Sequence, residues 1–285
     1  MSARSDTSTA YRVRGPGALS GGWRRFGYLV RTLAFTDWKL RFFGSVLGYV
    51  WSLLRPLMLF GILYLVFSQI VPVGAGVESY PVVLLVGVIL YSYFAEVTGG
   101  AVSSMVDREA LVRKVSFPRM VIPLAVALTA SFNLMLNLVV VAVFVAVSGI
   151  EPRWSWLLLP IPLLLLIAFA TGIAMLLAAL YVPFRDVRPI WEVIAQGLFY
   201  ATPVIYPIEL LAERSETLAH VAIVNPVAAL IQETRHLLLG PGTPSAAEAI
   251  GGVSMLAAPL VALIALSLVG FAVFSRMAPH AAEQL

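Results

Sequence analysis

The 285-residue chain contains no cysteine, which excludes disulfides, thiol nucleophiles and thiolate metal sites. Charge is nearly as scarce: Asp, Glu, Lys and Arg make up 12% of the residues, where a soluble domain carries about a quarter. Its three histidines, His220, His236 and His280, are scattered and form no HExxH or comparable metal spacing. No G-x-S-x-G element supports a serine hydrolase. Lysine occurs only as Lys39 and Lys114, preceded by Trp38 and Arg113. A phosphate-binding loop needs glycine directly before its lysine, so this chain cannot cradle a nucleotide in that manner.

What is abundant is oil. Hydrophobic residues form 60% of the chain and the mean hydropathy is +0.92, the composition of an all-α integral membrane protein. A helix needs about 20 apolar residues to span a bilayer. Six stretches approach that length: Val46 to Val71, Tyr80 to Ala101, Phe117 to Val147, Trp156 to Val182, Ile190 to Ile205 and Ile250 to Phe274. The fifth is short. Residues 1–22 have arginines but no adjoining apolar core, so they read as a disordered cytoplasmic tail and not as a signal peptide.

Residues 23–41 are too often interrupted by charge to span. As a helix they gather Trp23, Phe26, Val30, Leu33 and Ala34 on one side, the pattern of an amphipathic helix lying in the headgroup layer. The basic residues give an orientation. Sixteen of nineteen precede or interrupt the first span, lie in the second-to-third or fourth-to-fifth connections, or lie in the tail; Arg153, Arg214 and Arg235 fall on the other side. Both termini are thus expected in the cytoplasm, with the protein a multi-pass component of the cytoplasmic (inner) membrane.

Against this apolar background one charged interruption stands out. Asp107, Arg108, Glu109, Arg113, Lys114 and Arg119 fall within thirteen positions between the second and third spans. A solvated loop is the simplest account of such a run. A second irregularity follows the fifth span, where Pro203, Pro207 and Pro226 break an otherwise apolar segment. Two arrangements fit it: re-entrant helices lining a cavity or outer gate, or a surface cap of amphipathic helices.

Within the spans, Arg55, Glu96 and Glu192 sit in the halves nearer the cytoplasm, where a mutual ion pair or snorkelling to the headgroups accounts for them. No carboxylate lies squarely mid-span, which counts against a proton-driven carrier. Asn133 and Asn137 share a face of the third span and suit hydrogen bonds between helices. Phe60, Tyr64 and Phe67 share a face of the first span, while Phe199, Tyr200 and Tyr206 cluster at the outer end of the fifth. Packing or an interfacial belt is the default for such rings. In a pore they would instead form a glycan conduit, flat surfaces along which sugar rings slide.

From Arg31 to Phe274 the chain resembles the membrane subunit of ABC-2 type transporters that export polysaccharides such as O-antigen, teichoic acid and cell-wall galactan. The resemblance rests on GSVLGYVWSLLRPLM (Gly44 to Met58), LVRKVSFPRMVIPLA (Leu111 to Ala125), FRDVRPI (Phe184 to Ile190), TPVIYP (Thr202 to Pro207) and NPVAALIQETRHLLLG (Asn225 to Gly240). It departs at Met120, where an acidic residue is expected, and around Gln232 to Thr234.

The resemblance implies a homodimer working with two copies of a separate nucleotide-binding subunit. ATP and Mg would sit on that subunit, and this chain would hold no cofactor, metal or catalytic residue of its own. Residues 23–41 become an interface helix. Residues 104–114 become a coupling helix that docks on the ATPase through Asp107, Arg108, Glu109, Arg113 and Lys114. Residues 206–240 become the outer gate, within one transmembrane domain spanning 23–285. Arg24, Arg25, Arg31, Lys39, Arg41 and Arg55 are candidates by charge to guide the diphosphate of a polyprenyl-linked glycan. The partners implied are the glycan lipid, membrane lipids and the ATPase, with no nucleic acid. Two further readings are an ABC-2 exporter of a drug or small lipid, and a secondary transporter; the latter would need mid-span charges or an internal repeat, and neither is seen.

Overall fold

The computed structural model describes residues 22–41, 43, 48, 50–71, 79–114 and 117–280. The tail before Gly22 and residues 44–47 and 49, at the start of the Gly44 to Met58 motif, lie outside the described residues. Regular structure among the described residues is helical, with no strand. Among the described residues, five helical stretches are long and apolar enough to cross a membrane: Val50–Ile70, Tyr80–Val102, Val121–Val147, Trp154–Tyr181 and Val253–Met277. A helix satisfies its backbone hydrogen bonds internally, which hydrocarbon surroundings demand.

In chain order, α1 (Trp23–Arg41) precedes α2 (Val50–Leu65), which runs into a π-turn at Val66–Ile70. Helix α3 (Tyr80–Val102) follows and is the centre of the fold: 17 of its 23 residues are buried, against Phe60 alone in α2. A helix apolar on every side has no preferred outer face, so it takes the interior position. The long α6 (Val121–Val147) and α7 (Pro160–Tyr181) flank it. The last long helix, α13 (Ala257–Met277), lies on α7 and leaves most of its own surface exposed. Their crossing is set by small residues: a Cβ on Gly270 would sit 2.0 Å from the Gly172 carbonyl oxygen, and one on Gly172 would sit 2.5 Å from Ser267 Cα.

Three expectations change in detail. The stretch expected as the fifth span is a 15-residue helix, α8 (Val187–Ala201), about 22 Å long and shorter than the roughly 30 Å hydrocarbon core. It stops because Thr202 turns extended and prolines follow at 203 and 207. The charged linker is two short helices, α4 (Ser104–Asp107) and α5 (Glu109–Lys114), parted at Arg108. After α8 the chain forms α9 (Ile208–Arg214), α10 (Glu216–Val224), α11 (Pro226–Leu239) and the one-turn α12 (Ala246–Ala249), none long enough to span.

The amphipathic helix also differs. Its apolar side packs on protein: Phe26, Leu29, Val30 and Leu33 join a cluster with Val112, Ile122 and Phe274. Ala34 is fully buried, and its carbonyl accepts from the Thr129 hydroxyl at 3.1 Å. Trp23, placed by periodicity on the same side, precedes the first residue of that contact and is 79% exposed.

Candidate functional site

Two polar assemblies mark the opposite ends of α3. Near its C-terminal end Glu96 receives bonds from two other helices: Arg41, the last residue of α1, forms an ion pair with it, and Asn133 of α6 donates its amide at 2.8 Å. The Asn133 oxygen accepts from the indole N–H of Trp38 at 3.0 Å. One turn earlier in α1, Asp37 pairs with Arg108, the residue that parts α4 from α5. The last turn of α1 is thus tied to α3, α6 and the linker together. Asn137 donates to the Ser52 carbonyl at 3.2 Å, so both asparagines do bond between helices.

The pairing of charges corrects one expectation. Glu96 is matched with Arg41, not Arg55, because α1 packs along α6 and delivers its C-terminal arginine there. Glu192 is matched with Arg188 at 3.2 Å, one helical turn away. Arg55 is exposed on α2.

The linker residues are only partly gathered. Asp107 is exposed and accepts from Ser103 at 2.7 Å; Arg108 is engaged with Asp37; Glu109 is half-buried. The side chains of Arg113 and Lys114 lie outside the described part. On α1, Arg24, Tyr28, Arg31, Phe35 and Lys39 recur at helical spacing and are all exposed, and the Lys39 ammonium sits 4.5 Å from the Phe35 ring centroid. Arg25 is exposed as well.

At the other end of α3 sits a fully buried arginine that the sequence reading counted only as an outward charge. Arg235, on α11, donates from Nε to the Val83 carbonyl at 3.0 Å, from Nη1 to Pro203 at 2.6 Å and from Nη2 to Val204 at 2.8 Å. Val83 is in the first turn of α3, while Pro203 and Val204 form the break after α8. A buried cation is tolerable only when its donors are met, and the guanidinium fork meets three carbonyls at once. Two of these lie beyond the C-terminus of α8, the negative end of its dipole.

Gly87 makes room for this contact, since a Cβ there would stand 2.5 Å from Arg235 Nη2 and 2.6 Å from the Val204 oxygen. Tyr80 closes the same break with a 2.8 Å bond to the Ile205 carbonyl. Asn225 caps α11 by accepting from Val227 N–H at 3.0 Å and donates to the Thr202 hydroxyl at 2.9 Å. The far end of α11 is satisfied by Ser155 and Trp156, which donate to the Leu237 and Leu238 carbonyls at 2.7 and 3.1 Å. One signal for Arg235 was available: it shares a helix face with Ile231 and Leu238, apolar neighbours that a surface arginine lacks.

The two aromatic groups come from separate stretches, one from α2 and its π-turn, the other from the end of α8 and the residues just after it. Phe60 is buried, stacked on Tyr64 at 5.8 Å and edge-on to Phe144 at 5.4 Å; Phe67 is half-buried, and Tyr64 is 37% exposed. Phe199 is half-buried against Tyr91 at 5.1 Å, and Tyr200 is 61% exposed. Tyr206 donates to the Tyr200 carbonyl at 3.0 Å. Helices α2 and α8 both pack on α3, which draws the two groups to the same core helix. No cluster of three metal-ligating His, Asp or Glu residues occurs among the described residues.

An apolar multi-pass bundle, a charged linker between two of its long helices and a broken helical segment after the short α8 are the features of a membrane transport subunit. The chain belongs to the ABC-2 type transporter family, whose model matches residues 28–239, from the first turns of α1 to the end of α11. It is 30% identical over 241 residues to the O-antigen export system permease protein RfbA of Myxococcus xanthus, covering 85% of this chain and 87% of that one. A Klebsiella pneumoniae protein of the same name is 27% identical over 263 residues, covering 91% of this chain and 96% of the relative.

Proposed function

We propose that this chain is the permease subunit of an ABC transporter that exports a polyprenyl-diphosphate-linked polysaccharide of the O-antigen type across the cytoplasmic membrane. The observation that carries this reading is the alignment with O-antigen export permeases along nearly the whole of both chains. Two copies of the chain form the membrane domain. Exposed apolar faces on α2 and α8 offer surface for that pairing. Helix α8 serves as the fifth of six spans, with both termini cytoplasmic and α9 to α11 forming the re-entrant outer gate.

Energy comes from two copies of a separate ATPase subunit, which carry the ATP and Mg. The broken α4–α5 pair is the coupling element, with Asp107, Arg108, Glu109, Arg113 and Lys114 as its contact residues. Because Asp37 pairs with Arg108 and Arg41 with Glu96, a push on the linker is felt by α1 and α3 together. The exposed basic and aromatic stripe of α1, with Arg25 and Arg55, receives the diphosphate headgroup from the cytoplasmic leaflet. Tyr64 and Tyr200, the exposed members of the aromatic groups, are the first candidates to touch sugar.

The test is a reconstituted complex of this chain with its ATPase subunit. Glu109→Ala combined with Arg113→Ala should leave the permease inserted but export glycan at a small fraction of the wild-type rate per ATP hydrolysed. Unchanged coupling rejects the assignment of the linker. If the intact complex moves a short lipid or drug and leaves lipid-linked glycan on the cytoplasmic side, the polysaccharide reading itself fails.

A further inference from the structure

A cavity of about 590 Å³ opens between α3, α6, the start of α7 and α11, at the end of α6 remote from the charged linker. Its floor is buried and apolar, formed by Val86 and Leu90 of α3, Val145 of α6 and Leu238 of α11. Its size lies in the range of pockets for small organic ligands, about 300 to 1,000 Å³. Along α6 the lining runs from Leu138 to Ala146, about 12 Å of helix. On the open side stand small exposed residues, Ala142 and Ala146 of α6 and Gly149 of the turn after it, and Glu151 is exposed at the edge.

The chemistry of the lining selects the occupant. Thr234 is its one hydroxyl, and that group already donates its proton to the Leu230 carbonyl at 2.7 Å. Trp156 turns its indole N–H to the Leu238 carbonyl. Water needs two to four polar partners to occupy a cavity, and the four floor residues Val86, Leu90, Val145 and Leu238 have apolar side chains. A sugar would find no side-chain hydroxyl or amide donor free there either, since those of Thr234 and Trp156 are engaged. The space is apolar, lies beside a helix apolar enough to span, and has a carboxylate at its edge, the profile of one hydrocarbon chain with its polar head at the rim.

We infer that this cavity binds one acyl chain of a membrane phospholipid, in the leaflet that is the outer one under the orientation proposed above. The occupant rests on Thr234 and Leu238, the residues on either side of Arg235 in space or sequence. It therefore steadies α11 and, through Arg235, the break after α8. A polyprenyl tail is a poorer fit, since it is branched and far longer than the cavity.

The test requires neither glycan nor ATPase, so it fails independently of the transport reading. The full chain, purified in mild detergent and examined by native mass spectrometry, should retain one phospholipid per chain. Val145→Phe, which fills the floor, should lose it; Ala146→Leu, at the open side and less demanding on the fold, should retain it markedly less. Both variants are checked for unchanged helical content. In a variant with Trp156 as the sole tryptophan, the others being replaced by Phe, phosphatidylethanolamine and phosphatidylglycerol vesicles with brominated chains should quench its fluorescence. Ala146→Leu should relieve that quenching. Equal lipid retention and quenching in wild type and both filled variants overturn the site. Retention of a polyprenyl phosphate in place of phospholipid overturns the assigned occupant.

Discussion

Helix α3 is gripped at both ends by an arginine from a distant helix, and the two grips are built differently. At its first turn Arg235 is wholly buried and bonded to three neutral carbonyls. Near its last turns Arg41 pairs with a single carboxylate, with side chains 44% and 30% exposed. Carbonyls cannot be protonated, and at full burial salt cannot screen them, so the first grip is fixed. The second is open to competition from salt and anionic headgroups. The contrast places a rigid anchor at the break after α8 and a releasable latch where α1 meets the linker-side end of α3, the pattern expected if motion begins at the linker end.

The largest expected effect tests the anchor. Arg235→Met leaves three carbonyls without their shared donor, at about 1 to 3 kcal/mol for each that finds no water. A loss of roughly 3 kcal/mol or more follows, read as a fall in the thermal midpoint in detergent that is the same at low and high salt. A salt-dependent loss would mean that the guanidinium is reached by solvent. Next comes Gly87→Ala, whose Cβ would stand 2.5 Å from the guanidinium and 2.6 Å from a backbone oxygen, costing about 2 kcal/mol as overpacking. Because both changes strike one contact, the double variant should lose less than the sum of the two. Additive losses would show that Gly87 answers to something else. Asn225→Ala is smaller, about 1 to 2 kcal/mol, since it removes an N-cap and strands the buried Thr202 hydroxyl.

How much of this was legible beforehand follows from the range of each cause. Long apolar runs are local signals, so the five long apolar helices were read to within a few residues, and α1 began and ended at Trp23 and Arg41 as its pattern indicated. Its partner was not legible: hydrophobic periodicity shows that a face must be covered, and α6 and lipid satisfy that requirement equally. The break after α8 was announced by Pro203 and Pro207, but the group that holds it comes from α11. Arg235 is 152 residues from Val83, and nothing local distinguishes an outward charge from a buried one except its apolar neighbours Ile231 and Leu238. The ion pairs show the same limit. Arg188 with Glu192 is a one-turn pair, open to helical spacing; Glu96 with Arg41 depends on a tertiary approach that the sequence does not encode locally.

The smallest expected effect tests the latch and decides whether the two grips differ in kind. Glu96→Gln keeps an oxygen for Asn133 and removes the charge facing Arg41. An exposed pair of this sort contributes about 1 kcal/mol or less. At about 1 M salt the screening length is about 3 Å, so the difference from wild type should shrink toward zero. Stability in detergent, followed at low and high salt, gives the comparison directly with Arg235→Met, whose deficit should persist. A loss for Glu96→Gln as large as that of Arg235→Met, and equally indifferent to salt, would make the latch a second fixed anchor. It would then remove the structural reason for placing the moving parts at the linker end.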